Sequence, residues 1–208
     1  MAKKNKYEPK LLVLRIKLEY IRPFIVRKVI VRNTISFELL HDIIQISMGW
    51  QNEHLYSFSK GDIHIDDEGV VESEAVDDIR DLFTDVFSNR RNKHLSSAET
   101  PIARFLNEAK DKFMYEYDFG DSWLHQISVS KVMEDDPSIK HPVCKTAKRA
   151  CPPEDCGGVY GYSLIMKAFG AEEKDEEDEE YIDWVDEDFD PEFANTRIIN
   201  CMLEKIEM

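Results

Sequence analysis

The chain has 208 residues, of which 42% are hydrophobic and 11% aromatic, too apolar for disorder despite 33% charged residues. Its formal charge is -15, but the charge is segregated: Ala171 to Asp190 holds thirteen acids and one base, while Met1 to Arg32 holds ten bases and two acids. A polyanion would be repelled at distance, so nucleic acid is disfavoured though not excluded, and no stretch reaches the ~20 apolar residues of a membrane span.

Leu11 to Tyr20 sets Arg15, Lys17 and Glu19 between Leu14, Ile16 and Leu18, the alternation of a strand with one wet face. Pro23 marks a turn and Phe24 to Val31 the second strand of a hairpin. Ser36 is the expected N-cap of a helix that stops at Gly49, with Glu38 in its first turn. Phe37, Leu40, His41, Ile44 and Met48 share one face of that helix. Strands are expected over His54 to Phe58 and Asp62 to Ile65, closed by an acidic turn, Asp66 to Gly69.

Glu74 to Val86 and Pro101 to Ala109 have helical patterns, the second capped by Thr100, with a polar loop from Ser88 to Ser97 between them. Phe113 to Tyr117 and Trp123 to Met133 form the clearest hairpin. If it closes symmetrically about Gly120, Tyr117 faces Trp123, Tyr115 faces His125 and Phe113 faces Ile127, an aromatic ladder that includes His125. Four prolines between Asp135 and Gly158 predict a long loop without regular structure. Helices follow over Gly158 to Phe169 and about Pro191 to Glu204, with Tyr181 to Val185 a short element between them. The acidic run Glu172 to Glu180 reads as a solvated, mobile segment or as a docking arm for a basic protein partner.

Two constellations could carry chemistry. His141, Cys144, Cys151 and Cys156 are ligand types that zinc prefers, and a tetrahedron of them would staple the long loop. The alternative is that the cysteines are buried packing groups and that Asp155 or Glu154 caps the helix opening near Gly158. The second set is dispersed: His41, His54, Asp118, Asp121, His125 and Asp155 could converge on a divalent metal and activate water, as in hydrolases. His41 and His125 also fit as hydrogen-bonded core histidines, and Asp118 and Asp121 as loop formers. Asp118-Phe119-Gly120 spells the kinase triplet without a glycine-rich loop or His-Arg-Asp motif, and no EF-hand, P-loop or Gly-x-Ser-x-Gly pattern occurs. With no leader-like apolar region after the basic N-terminus, the cytoplasm is expected, and the four cysteines are expected as thiols or metal ligands there and not as a disulfide framework.

Three blocks carry a resemblance: Leu40 to Gln45 with Met48-Gly49-Trp50 and His54-Leu55-Tyr56; Tyr115 to His125; and Cys151 to Gly158 with Gly161-Tyr162. Together with Asp188 to Pro191 they resemble the family named after the third open reading frame of a bacterial root-inducing plasmid, also labelled a transposon passenger of TnpR type. The match runs from about Tyr7 to Met202. One departure is Val26, which stands before Arg27 where the family carries tryptophan. The resemblance implies one α+β domain found in bacteria and archaea, often on mobile elements. The chain shows no serine-recombinase pattern, so the resolvase label implies nothing further.

The expected architecture is a single α+β domain over residues 1–208, an antiparallel sheet with helices mainly on one face and a variable acidic segment at 171–180. The expected function is a non-catalytic binding or accessory module with a ligand site near His41, Trp50, His54, Asp118, Asp121, His125 and Asp155. A metal-dependent hydrolase or nuclease on the same histidines and aspartates is the first alternative. A zinc-stapled interaction domain on His141, Cys144, Cys151 and Cys156 is the second.

Overall fold

Alternation in the N-terminal segment produces the first pairing. In a computed structural model of the chain, which describes residues 7–67, 93–185 and 188–208, β1 (Lys10–Leu18) and β2 (Val26–Arg32) form an antiparallel hairpin. Leu14 lies opposite Val29 and Ile16 opposite Arg27, so Leu12, Leu14, Ile16 and Leu18 are buried on one face while Arg15 and Lys17 are half-buried on the other. The helix α1 (Phe37–Met48) covers the apolar face. The Ser36 hydroxyl accepts from the Leu39 amide at 3.1 Å, and Gly49 ends the helix at φ 104°, a torsion that glycine adopts without a Cβ clash.

β3 (Tyr56–Lys60) and β4 (Ile63–Asp66) form the next hairpin, slightly later in the chain than expected. The aromatic hairpin of β6 (Lys112–Tyr117) and β7 (Trp123–Glu134) has the expected register, with Tyr117 opposite Trp123, Tyr115 opposite His125 and Phe113 opposite Ile127. Two strands replace expected loops. β5 (Lys93–Ser96) runs parallel to β4, and β8 (Val143–Lys148) pairs with β2 inside the proline-rich stretch, because Pro137, Pro142, Pro152 and Pro153 flank that strand rather than interrupt it. Among the described residues, eight strands lie in the order β5-β4-β3-β6-β7-β1-β2-β8, a sheet that is mixed and not antiparallel throughout as expected, because β4 and β5 run parallel.

The helix expected over Pro101 to Ala109 is one 3-10 turn, Ile102–Arg104, without a side-chain cap from Thr100. Asp111 is the physical reason: its Oδ2 accepts from the amides of Asn107 at 2.9 Å and Glu108 at 2.8 Å, which diverts the two donors a longer helix would need. The helix expected over Glu74 to Val86, and half of the turn and of the loop on either side of it, lie outside the described residues.

Three further helices follow: α2 (Gly158–Gly170), α3 (Glu176–Trp184) and α4 (Thr196–Leu203). The acidic run is therefore partly a helix and not an extended arm. Asp175 caps α3 by accepting from the Asp178 amide, and the acids of its first turn complement the positive end of the helix dipole. α4 starts later than expected, where the Asn195 side chain accepts from the Arg197 amide at 2.9 Å. Tyr162, Ile199 and Leu203 join α1 and the apolar sheet face in one core, so the helices contribute to that face as expected.

Candidate functional site

β6 ends at Tyr117 and β7 begins at Trp123, so Asp118 to Ser122 turns at one end of the sheet. Asp118 takes φ 55° and its Oδ1 accepts from the Gly120 amide at 2.9 Å, an arrangement that aspartate tolerates better than most residues. Its Oδ2 faces His54 Nε2 at 3.8 Å. His54 comes from the segment between α1 and β3, and a third group arrives from the Pro152-Pro153 turn: Asp155 Oδ1, 3.2 Å from the same nitrogen. Among the described residues, these three alone form a group of His, Cys, Asp or Glu ligand atoms lying within 4.8 Å of one another.

The alignment inside this cluster is informative. Nε2 of His54 is buried and forms no aligned hydrogen bond, although a carboxylate oxygen stands 3.2 Å away. One imidazole nitrogen and two carboxylate oxygens thus converge, a donor set suited to a first-row divalent cation. Asp118 is buried and Asp155 exposed, so the cluster has an inner and a solvent side. Beside it a cavity of about 370 Å³ is lined by Glu38, Asp42, Glu53 and Asp67, four carboxylates whose field favours a cation. Burial, with Glu38 nearby, pushes the Asp42 carboxyl above the usual range.

Tyr117 braces the cluster. Its hydroxyl accepts from the Glu53 amide at 3.1 Å and donates to Glu154 Oε1 at 3.1 Å, and Glu154 Oε1 also accepts from the Gln51 amide. Burial raises the Tyr117 pKa, so the hydroxyl keeps the proton it donates. The Tyr117 ring packs against His54 at 5.8 Å and Trp50 at 4.9 Å. Trp50 in turn donates its indole N–H to the Pro152 carbonyl at 3.0 Å, which ties the segment carrying His54 to the turn carrying Asp155.

Asp121 braces from another side, its Oδ2 accepting from the Gly157 amide at 3.2 Å. Gly157 is the N-cap of α2 and makes no side-chain cap bond, so neither Asp155 nor Glu154 caps this helix as expected. Asp155 is instead turned to His54 and Glu154 to Tyr117.

His41 and His125 are core residues of the aromatic ladder. His41 stacks on Tyr56 at 3.6 Å, with Nδ1 2.8 Å from the Tyr115 hydroxyl and Nε2 2.6 Å from Asn52 Oδ1. Because Gln45 Nε2 donates to that hydroxyl at 2.9 Å, the tyrosine proton points to Nδ1 and His41 donates from Nε2 to Asn52. Burial lowers its pKa to about 4, so the ring is neutral at pH 7. His125 donates from Nδ1 to the Trp123 carbonyl at 2.8 Å, and burial lowers its pKa to about 3. Trp50 meets the His125 ring edge-on at 5.3 Å. Of the seven expected ligand-site residues, His54, Asp118 and Asp155 form the cluster. Trp50 and Asp121 brace it, His41 holds Asn52 two positions before His54, and His125 lies beneath Trp50.

The cysteine tetrad is not assembled. His141 Nδ1 turns to the Ile206 carbonyl at 2.7 Å, and Cys144 sits in β8 with its thiol on the Thr146 carbonyl. Among the described residues no ligand atoms of His141, Cys144, Cys151 and Cys156 gather into a metal-binding group. All four cysteines are unpaired thiols, and burial pushes the pKa of Cys144 and Cys151 up and that of Cys156 up to about 12.

Glu154 and Asn52 were absent from the expected site. A signal for Glu154 lay in Pro152-Pro153, since two fixed φ angles project the next two side chains from one rigid base.

A family model described as plasmid pRiA4b ORF-3-like protein matches residues 10–197. The chain is 32% identical over 196 residues to the uncharacterized protein y4hQ of Sinorhizobium fredii, covering 93% of this chain and 90% of that protein. It is also similar to the crystal structure of a protein of unknown function, MM3350 from Methanosarcina mazei Go1. That similarity has a TM-score of 0.74 and 26% identity, covering 92% of this chain and 98% of that one.

Proposed function

The chain belongs to the plasmid pRiA4b ORF-3-like family, and from that premise we propose a non-catalytic binding module, working with mobile elements, that takes up a divalent cation on His54, Asp118 and Asp155. The convergence of these three donors carries the reading. Two carboxylates brought this close repel each other, a cation shared with the imidazole nitrogen relieves that repulsion, and the acidic cavity alongside adds to the attraction. Tyr117, Trp50 and Asp121 hold the three supporting segments in place, the bracing that a ligand set requires. The plasmid in the family's description supports the mobile-element context, and four free thiols suit the cytoplasm. The exposed acids of α3 are the surface for a basic protein partner.

Three protein ligands leave coordination positions for water, and this favours hydrolysis as the second reading. Titration calorimetry with Mn²⁺ and Zn²⁺ on untagged protein separates the two. About one ion should bind per chain, with affinity lost in His54→Ala and Asp118→Asn and retained in His141→Ala and Cys144→Ser. Absence of binding, or loss only in the last two variants, would refute the cation site. Metal-dependent cleavage of bis(p-nitrophenyl) phosphate that disappears in His54→Ala would replace the binding module by the hydrolase.

A further inference from the structure

A second cavity, about 360 Å³, lies between the end of α1, the Ala150–Glu154 segment and α4. It is lined mainly by apolar side chains, among them Met48, Phe189, Phe193, Ile198 and Met202. Phe193, Ile198 and Met202 are between 45% and 54% exposed, far more than the core side of this fold allows, and so stand at its mouth. No member of the His54, Asp118 and Asp155 cluster lines it.

Arg27 is the one cationic side chain in that lining among the described residues. The β2 register places it on the same sheet face as Val29 and Val31, toward the helices, and its side chain is 2% exposed. Nε donates to the Ser47 carbonyl at 2.6 Å, and Nη1 donates to the carbonyls of Val26 at 3.1 Å and Lys148 at 3.0 Å. Every one of these acceptors is neutral. Among the described residues Nη2 has no hydrogen-bond partner and no carboxylate pairs with the guanidinium. The thiols that face it, Cys144 and Cys151, are held protonated by burial.

A guanidinium keeps its charge even when desolvation opposes it, and a buried charge is normally paired. Three carbonyls fix the direction of this one without neutralising it. An anion that reached Nη2 would supply the missing charge, and the walls around it demand that the rest of the ligand be apolar. Glu154 also lines the cavity, with Oε2 buried and unpartnered, so a ligand with one negative charge is repelled less than a ligand with two. The volume falls in the range of small-molecule sites, roughly 300–1,000 Å³.

We propose that this cavity binds a small monocarboxylic acid with an apolar body, its carboxylate on Arg27 and its hydrocarbon among Phe193, Ile198 and Met202. The test is titration of the full chain with octanoate and 3-phenylpropionate, each against its neutral amide, followed by calorimetry and intrinsic tryptophan fluorescence. At least one acid should bind saturably and its amide at least about tenfold more weakly, the ratio that a charge-assisted hydrogen bond supplies. Arg27→Gln should abolish the preference for the acid. Since Arg27 is buried and that variant could fail to fold, Ile198→Glu at the exposed mouth provides a second arm and should weaken the acid about tenfold or more by charge repulsion. Equal binding of acid and amide, no binding of either acid, acid preference surviving in folded Arg27→Gln, or acid affinity unmoved by Ile198→Glu would each overturn the proposal.

Discussion

At Gly161 an added Cβ would collide with the Cys156 backbone carbonyl, and at Gly158, φ 65°, it would stand 2.5 Å from the Asp121 carbonyl oxygen. These close approaches seat the first turn of α2 against the two turns that carry Asp121 and Asp155. Gly161→Ala must displace backbone and should cost about 1–3 kcal/mol, lowering the melting temperature by several degrees. Gly170→Ala, with nothing within 4 Å of the new Cβ, should leave the melt nearly unchanged; equal melting of the two variants would refute the close-packing argument. The core histidines make a second prediction. His41 and His125 have native pKa values of about 4 and about 3, below the unfolded value of roughly 6.5, so the unfolded chain takes up protons first. Their contribution is complete above about pH 6.5 and is lost as pH falls through the window toward 4 and 3. Urea midpoints should therefore fall between pH 6.5 and 5, with a shallower slope in His41→Gln; a flat profile in the parent protein would contradict this. That His41 and His125 are core residues was legible from their apolar faces. The hydrogen bond from His41 to Asn52 was not, since it depends on a backbone at φ 61° that no periodicity announces.

At the scale of elements, α4 is fastened to the edge strand β8 by one side chain. Asn200 accepts from the Cys144 amide at 2.7 Å and donates to the Cys144 carbonyl at 3.1 Å, so it closes the outer hydrogen bonds of β8 much as another strand would. Asn200→Ala should cost about 1–3 kcal/mol, and amide exchange should accelerate at Cys144 more than in β1. Uniform exchange with an unchanged melt would show that α4 is held by its apolar contacts alone. Elements with strong local signals were readable: α1 has a cap, a stop and an apolar stripe, and the β6–β7 register followed from its alternating aromatics. β5 and β8 were not readable. They are short edge strands of mixed polarity whose partners are supplied by distant segments, β8 pairing with β2 more than a hundred residues earlier. α3 was missed because its charges give it no clear apolar face, and its signal is the Asp175 cap and the dipole.

Across the whole molecule, the sheet order explains why three separated sequence blocks meet. β1 pairs with β7, β6 with both β7 and β3, and so the segment before β3, the β6–β7 turn and the Pro152-Pro153 turn arrive at one end of the sheet. The blocks stood out through their resemblance to a known family, whereas the separation of ligands from braces needed this topology. The same compactness brings like charges together. With a net charge of -15, much of it between Ala171 and Asp190, the folded state repels itself more than the expanded chain does. Salt shortens the reach of that repulsion from about 30 Å at 0.01 M to about 3 Å at 1 M. Raising NaCl from about 0.01 to 0.5 M should therefore raise the melting temperature. The exposed acids that flank the first turn of α3, Glu172, Glu173 and Glu180, should carry part of the effect. Replacing these three by Gln removes three negative charges while leaving the Asp175 cap and the first-turn acids that complement the helix dipole intact. That variant should melt higher than the parent at low salt and converge with it at high salt. A difference that persists unchanged at high salt would instead mean that the glutamates act through helix propensity or local contacts, and that self-repulsion is a minor part of the stability of this fold.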